Sequence, residues 1–312
     1  MTAPPQAVVV LNPSAHGGTG GRRFEAVRPL IDSTLDATVV VGRADRRWQG
    51  EVAAALARGV RLFIAAGGDG TAHALLNTLI EAPHRPPLEA ITLGAVGLGS
   101  SNDLLKPVRR RVGGIPVLLD ACHAAPRDVI GCTRVDSTGA HRACVLVSAS
   151  LGVTALANAR FSASEPLAKL LRRMSTTTAI VCAAVRTVAT WRNLPAMVRI
   201  DQRESARVAL TSLSILKTEW LSGRLRFGHP VEGASGDFDV ALAQGLGRIR
   251  VCADILALLR GCFDGRPGHT RLRARSVDVW LAGEVPLELD GEIVTATEIH
   301  FDVFPERIRL CA

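Results

Sequence analysis

Short uninterrupted runs of apolar residues alternate with helix-like segments along the first hundred residues, and this alternation limits the possible folds more than any other feature. The apolar runs cover residues 7–11, 37–41, 61–66 and 90–95, and the segments between them that have helical patterning are 22–30, 48–58 and 71–80. A strand that is apolar on both faces is typical of a parallel sheet whose crossover helices cover both sides. The sequence therefore predicts an N-terminal α/β domain with a parallel sheet.

The patterning changes after about residue 130. The later segments rich in β-forming residues are 143–149, 196–200, 206–213, 238–243 and 276–281, and the helix-like stretch between them is 165–192. Near the end, residues 286–289 meet an Asp290-Gly291 turn, and 299–309 predicts short strands. This order predicts a mainly antiparallel domain with a helical insertion. We expect two domains, residues 1–130 and 131–312, as the length of 312 residues suggests.

Composition excludes several classes of protein. With 47% hydrophobic and 21% charged residues, the chain has the apolar content of a folded protein and not of a disordered one. Aromatic residues make up 4% and tyrosine is absent, so we expect no stacking platform for single-stranded nucleic acid and no nucleic-acid partner. No apolar run reaches the ~20 residues of a membrane-spanning helix, and the N-terminus lacks the pattern of a signal peptide. We therefore expect a cytoplasmic protein.

The charged residues indicate which partners the chain could bind, and the cysteines limit the kinds of site it could contain. The formal charge of +8 suits anionic partners such as nucleotide phosphates or lipid headgroups. Arg109-Arg110-Arg111 and Arg172-Arg173 are candidates for contact with an anionic membrane surface, with a solvated face as the alternative. Seven scattered cysteines without a CxxC pair predict neither a disulfide framework nor a zinc site.

Three glycine-rich turns follow strands of the first domain, where open α/β sheets bind their ligands. They are residues 12–21, which begin with Asn12-Pro13, then Gly67-Gly68-Asp69-Gly70-Thr71, and then residues 97–103. Glycines allow backbone amides to approach a phosphate, and the N-terminus of a following helix favours an anion. The first turn lacks the Gly-Lys-Ser/Thr ending of a P-loop.

Polar side chains in the second and third turns are candidate ligands. We expect the glycines before Asp69 to adopt positive φ angles in a tight turn, which exposes Asp69 to hold Mg²⁺ directly or through water. Thr71 is expected to cap the following helix. Because the glycines would define the turn, Asp69→Asn should leave the fold intact. In the third turn, Ser100 and Asn102 could reach phosphate or ribose, and Asp103 could support a metal.

In this order the turns resemble the catalytic domain of diacylglycerol kinase-type lipid kinases, a family that includes bacterial lipid kinases and sphingosine kinases. Later segments are similar as well, namely Leu151-Gly152, residues 236–240 and Leu289-Asp290-Gly291-Glu292. Since NAD kinases share the Gly-Gly-Asp-Gly-Thr string, the specific signal is the ordered set, above all the late Asp-Gly-Glu. The resemblance extends from about Val8 to the C-terminus.

The resemblance implies a fold and a set of roles. It implies an α/β nucleotide-binding domain, a β-sandwich-like lipid-substrate domain, an active cleft between them, and a C-terminal segment that packs back on the first domain. It implies ATP and Mg²⁺ as cofactors. The implied nucleotide-binding residues are Asn12, Gly68, Gly70, Thr71, Ser100 and Asn102. The implied catalytic residues are Glu292, as general base, and Asp69, and the implied metal ligands are Asp69, Asp103 and Asp239.

The sequence also departs from the family pattern. Ala15-His16, Gly97 and Ser101 stand where the family usually has other residues. Ser235 replaces the Asp that pairs with Asp239 in a structural metal site. Because Mg²⁺ needs a nearly complete set of oxygen ligands, the loss of a carboxylate makes that site a poor prediction.

These observations predict an ATP-dependent lipid kinase that transfers the γ-phosphoryl group to the hydroxyl of a membrane lipid such as diacylglycerol. Glu292 follows a tight turn that could aim a proton-accepting carboxylate into a cleft. We expect a peripherally membrane-associated enzyme at an anionic surface, with a homodimer as a possibility. One alternative is a soluble kinase acting on NAD or a sugar phosphate. Another is a nucleotide- or lipid-binding protein without catalysis, which the substitutions at Ser101 and Ser235 would fit.

Overall fold

The computed structural model describes residues 6–162 and 176–312. The chain divides into two compact units, of which unit 1 is Met1–Val129 with Phe304–Ala312 and unit 2 is Ile130–Val303. Part of the predicted helical stretch 165–192 and the Arg172-Arg173 pair lie outside the described residues. The assignment of the two units to nucleotide and lipid binding stays a prediction.

Unit 1 is built from alternating strands and helices. Its strands are β1 Gln6–Leu11, β2 Asp36–Val41, β3 Leu62–Gly67, β4 Thr92–Gly97, β5 Arg111–Val112 and β6 Ile115–Leu118. Its helices are α1 Ala15–Gly18, α2 Gly20–Phe24, α3 Arg28–Thr34, α4 Arg47–Ala57 and α5 Asp69–Glu81, with 3-10 helices at Leu88–Ala90 and Asp103–Leu105. Strands β7 Ala125–Asp136 and β17 Glu292–Leu310 belong in part to each unit.

The sheet of unit 1 is mixed. The four predicted strands are present, and β1 pairs in parallel with β2 and β3, as β3 does with β4. The end of β17 adds a parallel pair with β4 through Arg309 and Leu310. Strand β6 pairs antiparallel with β4 and was not predicted, because four residues that include Pro116 are too few for a periodic signal. The four predicted strands are therefore parallel to one another, whereas β6 pairs antiparallel with both β4 and β5.

The core of unit 1 lies between the sheet and its helices. Val9 and Ile64 of the sheet pack with Phe24 and Ile31 from the helical side, and Trp48 of α4 is also buried. The single helix predicted at 22–30 is wrong. Helix α2 ends at Phe24, and α3 begins at Arg28 with Pro29 in its first turn, a position where the missing N–H of proline costs no hydrogen bond.

The C-terminal segment of unit 1 is held by a partly buried ion pair. The Arg85 guanidinium donates to both carboxylate oxygens of Glu306, at 2.9 and 2.6 Å, and the Leu88 N–H donates to the same carboxylate at 2.7 Å. The hydrogen bonds from Arg85 are the largest cause that lowers the pKa of Glu306 to about 2, against the opposing effect of burial.

We predict that Glu306→Gln lowers the free energy of unfolding by about 1–3 kcal/mol at neutral pH, because it removes the charge from this pair. The folded pKa lies below the ordinary value of 4.5, so the contribution is present above that pH and is lost as the pH falls toward 2. Urea unfolding from pH 7 down to acid pH should show a shallower decline for the variant than for wild type. Glu51→Gln, at an exposed position of α4, is the control, and parallel curves for Glu306→Gln and wild type would contradict the prediction.

Unit 2 is rich in strands, as predicted. Its strands, besides its parts of β7 and β17, are β8 Gly139–Val145, β9 Ser148–Gly152, β10 Leu194–Ile200, β11 Ala206–Leu216, β12 Trp220–Leu221, β13 Leu225–Arg226, β14 Phe238–Gln244, β15 His269–Ala274 and β16 Ser276–Leu289. Its described helices are α6 Val153–Ser162, α7 Thr176–Thr190 and α8 Arg248–Leu259. The chain is thus a mixed α/β protein with a β-rich second part. Within the described ranges, no helix combines the length and apolar character needed to cross a bilayer.

The centre of the unit 2 sheet is formed by β11 and β16. Strand β10 lies between β11 and β16 and pairs antiparallel with both. Strand β9 also lies between them, farther along, and pairs antiparallel with both. Strands β14 and β15 extend the sheet beyond β11, and β17 extends it beyond β16, all in antiparallel pairs. The core includes Leu213, Val240, Val277, Leu287 and Phe301.

The last two strands are longer than predicted. The segments 276–281 and 286–289 belong to one strand, β16, whose pairing with β17 shifts register between Trp280 and Val285. This irregularity interrupts the alternation of the sequence and makes one strand look like two. Strand β17 covers the predicted short strands at 299–309 in a single element.

Candidate active site

The three glycine-rich turns of unit 1 lie at one edge of its sheet. Asn12 follows β1, the second turn begins at the end of β3, and the third begins at the end of β4. Because β1, β3 and β4 are parallel neighbours, their carboxyl ends meet at the same edge. This is the edge at which open α/β sheets bind ligands.

The second and third turns pack backbone against backbone. A Cβ atom on Gly99 would lie 2.4 Å from the Cα of Gly68, and one on Gly67 would lie 2.1 Å from Thr71 Oγ1. The N–H groups of Leu98 and Gly99 donate to the Gly67 carbonyl at 2.8 and 3.1 Å. The expected positive φ angles are wrong for the second turn, since Gly67, Gly68 and Gly70 all lie outside that region. Glycine is needed here for close approach instead.

We predict that Gly99→Ala destabilises unit 1 by about 1–3 kcal/mol, because the new methyl group would force the two turns apart. Gly50→Ala is a matched control, since Gly50 lies in α4 with no atom within 4 Å of a new Cβ, and there alanine should add up to about 1 kcal/mol. Urea unfolding measures both changes. Wild-type stability of Gly99→Ala would show that the turns are not in this contact.

Asp69 binds the third turn through both carboxylate oxygens. Its Oδ2 accepts from the Asp103 N–H and its Oδ1 accepts from the Leu104 N–H, each at 3.0 Å. These amides begin the 3-10 helix at Asp103–Leu105. Asp69 therefore joins the second turn to the third, a structural task that the sequence analysis did not predict.

Thr71 does not cap helix α5. The helix begins at Asp69 with Gly68 as its N-cap residue, and the Thr71 N–H donates to the Gly68 carbonyl at 2.9 Å. The Thr71 hydroxyl instead accepts from the Asn12 Nδ2 at 3.3 Å. This contact joins the first turn to the second.

The third turn uses Asn102 internally. The Asn102 carboxamide accepts from the Gly99 N–H and donates to the Gly99 carbonyl, both at 3.0 Å. The backbone of Asn102 has a positive φ of 51°. The expectation that this carboxamide faces a phosphate or ribose is not supported, because these bonds hold it within the turn. Ser100 is exposed at the tip of the turn.

This edge does not contain a preformed metal cage. Asp103 is buried and its carboxylate pairs with the Lys106 ammonium at 2.6 Å, which argues against Asp103 as a metal ligand. Within residues 6–162 and 176–312, no group of three or more His, Cys, Asp or Glu side chains is suited to hold a metal. Mg²⁺ is often held by one or two carboxylates together with substrate phosphates. Asp69 supplies a carboxylate of this kind at the start of helix α5.

The Asp-Gly-Glu segment forms the turn between β16 and β17 in unit 2. Asp290 and Gly291 both have positive φ angles, of 49° and 90°, as a two-residue hairpin turn of type I′ requires. Asp290 is 2% exposed, and its carboxylate accepts from three backbone N–H groups at 2.8 to 3.0 Å. The donors are Leu146, Val147 and Ser148.

A second buried carboxylate supports the same turn. Glu288 accepts from the Gly291 N–H at 2.7 Å and from the Ser150 hydroxyl at 2.6 Å. Glu292 directly follows Gly291, and its side chain is exposed. Within the described parts of the chain, its carboxylate makes no hydrogen bond or ion pair. The turn thus presents the Glu292 carboxylate to solvent from a fixed backbone. Neither the burial of Asp290 nor the role of Glu288 could be predicted from the sequence, because both depend on contacts with residues more than 100 positions away.

Two family models match most of the chain. Residues 6–129 match the diacylglycerol kinase catalytic domain, and residues 147–312 match the YegS C-terminal NAD kinase beta sandwich-like domain. The chain belongs to the diacylglycerol kinase catalytic-domain family. This membership confirms the resemblance seen in the sequence and places the chain in a family of kinases, which are phosphotransferases.

Solved structures show the same fold as this diacylglycerol kinase-family chain. A crystal structure of a diacylglycerol kinase from Bacillus anthracis has 17% sequence identity and a TM-score of 0.70, covering 100% of this chain and 98% of that one. Yeast NADH kinase complexed with NADH has 10% identity and a TM-score of 0.53, with 100% and 84% covered. At these identities the likeness concerns the fold alone. No curated protein is similar enough in sequence to count as a match.

The structural metal site implied by the diacylglycerol kinase family does not fit this chain. Asp239 is buried, and its carboxylate accepts from Arg271 Nε at 2.9 Å and from Arg271 Nη2. A guanidinium therefore lies where a cation would be needed. This ion pair argues against Asp239 as a metal ligand.

A buried lysine contributes a further positive charge to the segment 235–239, which contains Asp239. Lys217 is 1% exposed, and its Nζ donates to the Asp237 carbonyl at 2.7 Å and lies 3.4 Å from Ser235 Oγ. Burial opposes ionisation of Asp237, but the bonds from Arg273 and Ser235 lower its pKa. The segment is thus held by side-chain cations of the chain itself.

Proposed function

We propose that this diacylglycerol kinase-family chain is an ATP-dependent lipid kinase, which transfers the γ-phosphoryl group of ATP to the hydroxyl of a membrane lipid such as diacylglycerol. The observation that carries the proposal is the exposed Glu292 carboxylate on a turn fixed by buried Asp290. Phosphoryl transfer needs positioned phosphates and an oriented hydroxyl, and little other chemistry. The glycine-rich edge of unit 1 suits the first need, and Glu292 suits the second.

The nucleotide would bind at the edge of unit 1. Helix α5 directs the positive end of its dipole toward this edge, and Gly68 and Gly70 place no side chain over its first backbone amides. The bonded side chains of Asn12 and Thr71 would contact the phosphates, and the exposed Ser100 hydroxyl would donate from the third turn. Asn102 would act by holding that turn.

Asp69 would have two tasks at this edge. It keeps the second and third turns together through the amides of Asp103 and Leu104. It would also supply a carboxylate to Mg²⁺ that arrives with the nucleotide. When bound, Mg²⁺ neutralises phosphate charge that develops during transfer.

Glu292 would act as the general base. Its carboxylate would accept the proton of the lipid hydroxyl as that oxygen forms its bond to the γ-phosphorus and ADP leaves. The three amide bonds to Asp290 would keep the turn, and with it Glu292, in position.

The decisive experiment is ATP turnover by the full chain across a panel of acceptors. The panel contains diacylglycerol, monoacylglycerol and sphingosine in mixed micelles, together with NAD and a sugar phosphate in solution. We expect phosphorylated diacylglycerol or a related lipid, formed in equal amount with ADP. Phosphorylation of NAD or the sugar phosphate alone would overturn the lipid assignment. ADP formation without phosphorylation of any acceptor would overturn the lipid kinase and the soluble-substrate kinase alike.

A soluble-substrate kinase is the second candidate, because NAD kinases share the Gly-Gly-Asp-Gly-Thr string and the second family model is described as NAD kinase beta sandwich-like. The late Asp-Gly-Glu turn favours the lipid kinase. A binding protein without catalysis would take up ATP but release no ADP with any acceptor of the panel.

A further inference from the structure

Helix α8 of unit 2 exposes an apolar face. Ile249 is 86% exposed, Leu256 is 53% exposed and Leu259 is 49% exposed. Because these residues are seven and three positions apart, they lie along one side of the helix. Cys252 and Ala253, which are also exposed, occupy the same side between them.

The opposite side of α8 already forms part of the core. Val251 packs with Trp191 and Leu246, and Leu258 packs with Phe263 in a neighbouring cluster. A surface helix of a globular protein normally directs its apolar side inward and a polar side to solvent. Helix α8 is apolar on both sides, so its outer side indicates a contact outside unit 2.

The charges around the outer side are positive. Arg248, Arg250 and Arg260 are exposed at the two ends of the helix. The acidic residue of the helix, Asp254, is engaged by Arg266 at 2.8 Å and by His269 at 2.7 Å. In the two described stretches of the chain, no acidic group pairs with Arg250 or Arg260.

An apolar stripe flanked by arginines fits an anionic lipid surface. Such helices lie in the plane of the interface, with the apolar side among the acyl chains and the basic residues at the phosphates. A second copy of the chain would bring the same positive charges against each other. Charge complementarity therefore favours lipid over self-association.

We propose that α8 docks unit 2 on an anionic lipid bilayer, with Ile249, Leu256 and Leu259 inserted below the headgroups. The inference rests on the proposed function only in that a lipid kinase finds its acceptor at such a surface. It names the surface of the chain that makes the contact and the charge of the lipid that is contacted.

The test is sedimentation of the full chain with vesicles of phosphatidylcholine and phosphatidylglycerol that contain neither diacylglycerol nor ATP. Wild type should bind these vesicles but not vesicles of phosphatidylcholine alone, and binding should weaken as salt is raised. Ile249→Ser should lower the partition coefficient by at least about tenfold. Met197→Ser is the matched control, because Met197 is an exposed apolar residue of β10 at 40% exposure, and it should bind like wild type.

The contribution of charge is tested at Arg250. Arg250→Gln should lower binding to the anionic vesicles by about fivefold. Arg203→Gln changes another exposed arginine, outside α8, and should have a smaller effect. Equal losses for the two variants would overturn the docking site, because they would show that only the net charge of the chain matters.

Two further outcomes would overturn the proposal. One is that the double variant Ile249→Ser with Leu256→Ser binds the anionic vesicles as strongly as wild type does. The other is a wild-type dimer that this double variant converts to monomer in analytical ultracentrifugation, which would show that a second copy covers the face. Activity is measured separately on a short-chain diacylglycerol dissolved in water. Lost vesicle binding with normal activity on this substrate supports the docking site, whereas vesicle binding without lipid phosphorylation retains the docking site and rejects the proposed function.

Discussion

Glu292→Gln is expected to lower kcat for lipid phosphorylation by about 10²–10⁴, with little change in the KM for ATP. Glutamine keeps the size of the side chain but cannot accept the proton of the acceptor hydroxyl. The KM for ATP should hold because the proposed nucleotide contacts are in unit 1. Steady-state kinetics with ATP and diacylglycerol in mixed micelles would measure both constants.

Two neighbouring positions give controls for this prediction. Glu298→Gln changes another exposed carboxylate of β17 and should leave kcat unchanged. Asp290→Asn should instead destabilise the protein by about 2–4 kcal/mol, because a buried acceptor of three amides loses its charge and one of its oxygens. Glu292→Gln should unfold like wild type. A normal kcat for Glu292→Gln would make Glu292 a solvated turn residue.

Asp69→Asn is expected to lower turnover by at least about a hundredfold, because a neutral amide is a poor ligand for Mg²⁺ bound to the nucleotide. The structure also changes the expectation for stability. Asparagine has a single side-chain oxygen, so the N–H of either Asp103 or Leu104 would lose its acceptor, at a cost of about 1–3 kcal/mol. Turnover measured over a range of Mg²⁺ concentrations, together with urea unfolding, separates the two effects.

Asp36→Asn provides the control, since Asp36 is an exposed carboxylate at the start of β2. It should change neither turnover nor stability. Full turnover by Asp69→Asn would place the metal and the phosphates elsewhere. Unchanged stability would show that the two amide bonds to Asp69 contribute little to the fold.

The strands of unit 1 could be predicted because burial on both faces leaves a continuous apolar run. The predicted run at 61–66 differs from Leu62–Gly67 by one residue at each end. The role of Asp69 as a link between turns could not be predicted in this way. Its bonds reach residues that are 34 and 35 positions away, and they exist only once β3 and β4 are side by side.

The candidate residues of unit 2 show the same division. The hairpin turn was predictable, because Asp-Gly favours the positive φ angles of a two-residue turn whatever surrounds it. For that reason the sequence alone could not reveal that Asp290 is also buried and binds three amides. Lys217 was missed because lysine is almost always exposed, and only the fold shows the carbonyl and hydroxyl oxygens around its ammonium group.

The division into two compact units has a spectroscopic consequence. The chain has four tryptophans and no tyrosine, so its intrinsic fluorescence excited near 280 nm comes almost entirely from tryptophan. Trp48 lies in unit 1, while Trp191, Trp220 and Trp280 lie in unit 2. In a Trp48→Phe variant all the emission would come from unit 2, and subtraction from wild type would isolate the signal of unit 1. The unfolding of each half could then be followed without any added label.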